Sequence, residues 1–467
     1  MNLAAILASA AGEHASRPAL LVDGETVSHR ALERRAAGVA AGLRRRGVRS
    51  GDRVVVRLPN GTPFVEALLG VLRAGAVAVP LNVLLAPPEV EERIRLTRPA
   101  AVLDDPEALP SGSGRFEPVE REPGDPAAIL FTSGTSGRPK GAVLTHGSIA
   151  AAADNVASAV SLGPDDIVLG VAPFAHVLGL STGLVATLSR GGAVAVEARF
   201  DPERTLARMA ATRTTVLLGV PTMCMGLCEA AAGAERLPQL RLAHVGGAPL
   251  PAELARRFEE TFAAPLYEGY GLTEMSGVAT TYTVGEPQRP GSVGHPLGET
   301  EVRIVEPDEE GRGEVQFRGP SVVSGYFEDP GATAEAISAD GWLATGDVGR
   351  LDGGGYLYLV DRRKEVVIRG GYNVYPREVE EVLYAHPAVL EAAVVGIPDE
   401  RLGEEVAAAI VPRPGAELDV EELQAWARER LAAYKVPRRL AFVDELPKGP
   451  TGKILKRALD LETLAWR

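Results

Sequence analysis

Cysteine is almost missing from this chain. Two thiols in 467 residues cannot staple a fold of this length, so the structure must rest on its core, and a reducing compartment suits it. Cys224 and Cys228 lie four apart after Pro221, with no histidine or further cysteine nearby, and read as core thiols rather than metal ligands. Basic residues are outnumbered as well. Lys plus Arg total 49 against 62 for Asp plus Glu, a net charge of −13 that argues against broad binding to nucleic acid or anionic membranes. No apolar run suits a membrane span: those at 68–85 and 177–188 are short or interrupted by Arg73, Pro80 and Asn82. Residues 1–12 hold no Lys or Arg and no convincing cleavage site; they read as a first helix rather than a signal peptide, which makes a cytoplasmic location the expectation. Repeats and low-complexity tracts are absent too. With 45% hydrophobic and 24% charged residues, disorder and a coiled-coil rod are excluded. What remains is a globular chain of two or three domains, in which any anionic substrate must be held by a local device.

The pattern of what is present is that of an α/β fold. Arg53-Val54-Val55-Val56-Arg57-Leu58 reads as a strand, and 62–74 as an amphipathic helix with Thr62 as N-cap, Pro63 at the first helical position and Gly75 as its end. A buried strand, 76–79, follows. Further strands are expected at 127–131, 167–171, 193–196, 216–219 and 242–245, and this alternation with helices implies layered α/β subdomains. Between 292 and 318 short apolar stretches among Gly, Pro and Asp suggest antiparallel strands of a small β-barrel-like part. The charged run Asp361-Arg362-Arg363-Lys364-Glu365 marks the main boundary: a large domain over 1–361 and a small α+β domain over 362–467, with a helix at 375–386 and a strand at 391–397.

The strongest chemical signal is Thr132-Ser133-Gly134-Thr135-Ser136-Gly137-Arg138-Pro139-Lys140-Gly141, between a strand and a helix-like 148–160. Glycines let backbone N–H groups approach a polyphosphate, hydroxyls donate further hydrogen bonds, and Lys140 adds a point charge. Its lysine is followed by Gly141, so it is not the G-x-x-x-x-G-K-[ST] loop. A Gly/Ser loop alone would be a surface turn; strand, hydroxyls and lysine together point to phosphate.

This segment resembles the phosphate loop of the adenylate-forming superfamily, which includes acyl-CoA synthetases, peptide adenylation domains and firefly-type luciferases. Gly246-Gly247-Ala248-Pro249, Tyr270-Gly271-Leu272-Thr273-Glu274, Thr345-Gly346-Asp347, Asp361-Arg362-Arg363-Lys364-Glu365 and Pro450-Thr451-Gly452-Lys453 follow in the family's order, so the resemblance spans nearly the whole chain. It implies that Thr132, Ser133, Gly134, Thr135, Ser136, Gly137 and Lys140 hold the phosphates of ATP. Gly247, Ala248 and Pro249 would lie along adenine with Tyr270 and Gly271. Thr273 would touch the α-phosphate, Glu274 hold Mg²⁺, Asp347 accept from the ribose hydroxyls, and Arg362 approach the nucleotide. Lys453 would bridge carboxylate and α-phosphate during adenylation; the neighbouring Lys448, Lys456 and Arg457 read as an ordinary basic tail. Lys364 matches the hinge about which a mobile small domain turns, and Gly370 and Gly371 the face that admits the pantetheine arm of CoA.

The same resemblance assigns the acyl pocket to the segments 174–179, 219–225, 244–247 and 270–280, with His176, Val220, Met223, His244 and Gly247 as its expected residues. Apart from His176, His244 and Glu274 these segments carry no ionisable group to meet a second substrate charge, and an unpaired buried charge is expensive. A fatty acid is therefore expected first, an aryl or cinnamyl acid second. The wording of Tyr270 to Thr280 most resembles that of bacterial fatty-acyl-CoA ligases. The expected activity is ATP-dependent acid–thiol ligation through an acyl-adenylate, with ATP, Mg²⁺ and CoA as the small molecules; a carrier protein or an amine is the alternative acceptor, and a nucleotide-binding sensor or inactive relative the alternative of a different class. The tract 103–127 looks abbreviated against relatives. Glu274→Gln should keep the fold but weaken use of magnesium–ATP, because an amide is a poorer ligand for a hard cation; wild-type turnover at ordinary Mg²⁺ would remove the assigned role.

Overall fold

The computed structural model describes residues 2–112, 116–132, 139–231, 237, 239–362, 365–370, 372–399, 401–416, 418–449, 454–461 and 463–466. Two sheets of mainly parallel strands dominate its amino-terminal part. A five-stranded sheet runs Ala101–Leu103, Arg53–Val56, Val77–Pro80, Pro126–Thr132, Lys140–Thr145, with only the last pair antiparallel. A seven-stranded sheet runs Leu266–Glu268, Leu242–Val245, Val216–Gly219, Ile167–Gly170, Ala193–Val196, Pro18–Val22, Glu25–Ser28. Its strands are Val-, Leu- and Ala-rich because helices cover both faces, as a buried parallel sheet requires. One continuous core joins the two sheets: Phe64 of helix Thr62–Arg73 meets Phe174 with ring centroids 5.6 Å apart, and neither is more than 1% exposed.

Helix starts follow local side chains. Ser28 accepts from Ala31 N–H ahead of His29–Arg45, Thr145 and Ser148 exchange bonds at the start of His146–Ala159, and Asp201 caps Pro202–Thr212. The expected cap at Thr62 is corrected by one residue. Gly61 occupies the N-cap with extended φ of 167°, and Thr62 is the first helical residue. Proline lacks only an N–H that the first turn leaves unpaired anyway, so Pro63 fits one position further in. The 132–140 connection also differs from the strand-to-helix reading. Lys140 opens a strand that pairs antiparallel with Pro126–Thr132, Thr132 opposite Lys140, and the helix comes six residues later.

Beyond the parallel sheets, Glu301–Val305, Gly313–Arg318, Leu343–Leu351 and Leu357–Arg362 form a four-stranded antiparallel sheet, and Tyr270–Leu272, Gly277–Thr281 and His295–Pro296 a three-stranded one. The last hundred residues build a smaller body around Gly403–Pro412, flanked by Val389–Asp399, Val367–Arg369 and Arg439–Phe442. Helices Pro376–Tyr384 and Val420–Arg428 cover it, and its core runs separately from Val367 to Leu440. Among the described residues no helix is long and apolar enough to cross a membrane.

Phe64→Ala should cost about 3–5 kcal/mol in urea unfolding, the usual toll for emptying a closed aromatic site. A loss under 1 kcal/mol would show that the two sheets do not share one core.

Candidate functional site

Three parallel strands end side by side. Gly219 lies opposite Val245 in register, and Val245 opposite Glu268. The chain leaves these ends through Val220, Gly246-Gly247 and Gly269-Tyr270, which sets the expected acyl and adenine segments next to one another at the carboxyl edge of the sheet, where α/β folds bind ligands. A cleft opens there. Its large-domain wall includes Val220, Gly247, Ala248, Pro249, Tyr270, Gly271 and Asp347. Gly271 has no substitute: a Cβ there would lie 2.1 Å from the Gly277 carbonyl oxygen across the hairpin.

The Tyr270 hydroxyl donates to the Asp347 carboxylate, so the residue expected against adenine and the one expected on ribose are tied together. Asp347 stands opposite Arg362 in the strand register; of Arg362 only the backbone is described. Glu274 lies in the short turn Thr273–Met275, held by Val323 N–H donating to its carbonyl. Its Oε1 accepts from the Tyr326 hydroxyl at 2.7 Å, and Lys140 Nζ sits 5.2 Å from the centre of the Tyr326 ring. Burial, then the nearby Glu274 charge, pushes the Tyr326 phenol well up, so it stays a donor. Lys140, Tyr326 and Glu274 thus meet at the start of the Lys140–Thr145 strand. Ser133, Gly134, Thr135, Ser136, Gly137, Lys364, Gly371 and Lys453 lie outside the described residues.

Tyr326 was not legible beforehand. It arrives because the Phe327 and Ser324 N–H groups donate to the Gly141 and Val143 carbonyls, laying 324–327 along the strand that Lys140 opens. Ser324-Gly325-Tyr326 carries no motif that would announce this.

The cleft's other wall comes from the small body: Arg377, Glu380, Glu381, Tyr384, Glu391, Ala392, Ile454 and Lys456. Reading Lys456 as part of a solvated tail is corrected here. Its ammonium pairs with Glu380 at 2.8 Å and Glu365 at 3.3 Å, and although burial works against the charge, these carboxylates and Asp361 hold its pKa above the usual lysine value. Arg377 crosses between the bodies to Glu268, 3.2 Å away, with both side chains about 10% exposed or less. Burial pushes the Glu268 carboxyl up to about 7, against the pull of Arg377 and the Leu250 N–H. No motif along 376–381 announced any of this. Gly370 does not line the cleft.

Of the expected acyl-pocket residues, Val220 and Gly247 line this cleft; His176, Met223 and His244 do not. His176 Nδ1 accepts from Leu178 N–H at the start of a π-helical Leu178–Val185. His244 is fully buried, 2.8 Å from the Thr281 hydroxyl, which itself donates to the Glu268 carbonyl. Its Nε2 therefore carries the proton, and burial drives the ring's pKa down to about 4, so it is neutral near pH 7. Its Nδ1 has no hydrogen-bond partner among the described residues.

With this geometry in hand, comparison with known proteins is informative. The AMP-binding enzyme family model matches residues 7–115 and 104–327, and that of the AMP-binding enzyme C-terminal domain matches 378–453. A feruloyl-CoA synthase of Amycolatopsis sp is 39% identical over 459 residues, covering 93% of each chain. A long-chain-fatty-acid–CoA ligase of Bacillus subtilis is 34% identical, covering 98% of this chain and 94% of that one. The crystal structure of ATP-bound MatB from Rhodopseudomonas palustris superposes with a TM-score of 0.90 at 31% identity, over 98% of each chain.

Tyr326→Phe removes the donor that steadies Glu274. It should leave the fold intact and raise KM for ATP about ten- to hundredfold, the worth of one hydrogen bond to a charged group. An unchanged KM would show that the carboxylate is placed by other contacts.

Proposed function

The chain belongs to the AMP-binding enzyme family, and from that premise we propose which acid it activates and how its residues divide the work. It is an AMP-forming acyl- or aryl-CoA ligase that consumes ATP and CoA. The acid we infer is uncharged apart from its reacting carboxylate, an unbranched fatty acid before any dicarboxylate or amino acid. One observation carries this. The described lining of the cleft contains two cations, Arg377 and Lys456, and both are already committed to carboxylates. A second substrate charge would find no fixed partner and would be desolvated at a loss. A hydroxylated cinnamyl acid is the second reading. It is favoured by the likeness to a feruloyl-CoA synthase.

In the first half-reaction a substrate carboxylate oxygen attacks the α-phosphorus of ATP, and the bond to pyrophosphate breaks. In the second, the CoA sulfur attacks the acyl carbonyl and AMP leaves with the bonding electrons. Charge gathers on phosphate oxygens in the first step, so cations must be fixed there beforehand. Lys140 supplies one from the start of its strand, the 133–137 loop wraps the phosphates, and Lys453 joins from the small domain. Thr273 meets the α-phosphate. Tyr270, with Gly247, Ala248 and Pro249, flanks adenine, while Asp347 accepts from ribose. Glu274 is the residue that would hold magnesium: a hard carboxylate oxygen steadied by a phenol suits a cation that keeps most of its waters. Magnesium there would neutralise charge on the phosphate oxygens. Val220 and Gly247 flank the acyl group.

An acid panel tests the proposal. Acid-dependent pyrophosphate release, with and without CoA, should favour octanoate, palmitate or ferulate over malonate by at least about 100-fold in kcat/KM, the order expected when a second buried charge goes unpaired. A higher kcat/KM for malonate would overturn it, and the ratio of palmitate to ferulate separates the two readings.

A further inference from the structure

The Arg377–Glu268 pair joins the two bodies of the chain at the edge of the cleft. Glu268 closes the strand that continues into Gly269-Tyr270-Gly271, and its Oε1 also accepts the Leu250 N–H, so it ties the Gly247–Pro249 loop to that strand. Arg377 stands in the first turn of Pro376–Tyr384, and its backbone N–H donates to Asp361 Oδ2 at 2.9 Å, at the junction between the bodies. In this arrangement the small body turns Ile454 and Lys456 toward the cleft, and Gly370 does not line it.

We propose that Arg377 is a positioning residue: by bridging Glu268 and Asp361 it clamps the small domain in the orientation used for adenylate formation, and the bridge to Glu268 must break before thioester formation. This rests on the ligase reading above. A buried ion pair contributes little net stability but sets registry, because removing one partner leaves a desolvated charge. That asymmetry makes the pair a latch rather than a weld. Its release is also prepared. Glu381, one turn along the same helix and about half exposed, already lies 3.4 Å from Arg377 Nε, so the guanidinium has a partner on its own helix once Glu268 is given up to solvent.

The test measures each half-reaction separately, together with a distance. Arg377→Ala should slow acid-dependent pyrophosphate release about tenfold while speeding thioester formation from supplied acyl-adenylate and CoA about two- to fivefold. Arg377→Lys, which keeps the charge, should recover most of the first step. Should Arg377→Ala fail to fold, Glu268→Gln weakens the same pair and should move both steps in the same directions, about two- to threefold. The distance is read between spin labels on E260C and E429C, on exposed faces of the large and small bodies. Cys224 and Cys228 are buried and stay unlabelled. One dominant distance should appear in the otherwise wild-type chain and a second, broader population in the Arg377→Ala background. Equal loss of both half-reactions, or a label distance unmoved by Arg377→Ala, would overturn the clamp. If the wild type activates no acid, the ligase reading fails, and the label distance still decides the clamp by itself.

Discussion

The parallel register of three strands governs most of what this chain can do. Gly219, Val245 and Glu268 stand in one row, and everything that leaves that row is delivered to the same edge. A parallel sheet must be covered on both faces, so its free space lies beyond the strand ends. Val220, Gly247 and Tyr270 come together for that reason, although 50 positions separate the first from the last. The absent side chain at Gly271 then lets the hairpin Tyr270–Thr281 fold back flat, which brings Glu274 round to meet Tyr326 and Lys140.

Charge is arranged around that edge with little left over. An acidic chain that handles acidic substrates has to fix its cations locally. On the small-domain side this is done by pairing them: Arg377 with Glu268, Lys456 with Glu380 and Glu365, Lys448 with Glu391. Such pairs give the wall a definite shape and a definite orientation relative to the large domain. They also leave the described lining without an uncommitted cation, the observation behind the proposed uncharged acyl tail. Neutral groups behave consistently with this. His244 is buried deeply enough to stay unprotonated, and its bare Nδ1 offers an acceptor rather than a charge.

Much of this was written in the sequence. Strand after strand appears within a residue or two of where its Val, Leu and Ala run predicts, because a buried parallel strand has to be apolar throughout. The glycine, hydroxyl and acid motifs were recognisable because the roles proposed for them, backbone approach to a phosphate and ligation of a hard cation, restrict residue type at single positions. Thr62 shows the limit at element ends, where one residue's shift costs almost nothing. What only the tertiary structure decided is who meets whom. Tyr326 reaches Glu274 through an isolated β-bridge to Ala142, 184 positions earlier in the chain, and a hydrogen-bonding tyrosine looks like any other tyrosine in the chain. Lys456 passes for a tail lysine until the small body folds Glu380 and Glu365 around it. Arg377 and Glu268 are each unremarkable charges until two separately folded bodies meet. Local chemistry sets the period, the caps and the motifs; ion pairs between distant segments depend on packing, and packing is a property of the whole chain.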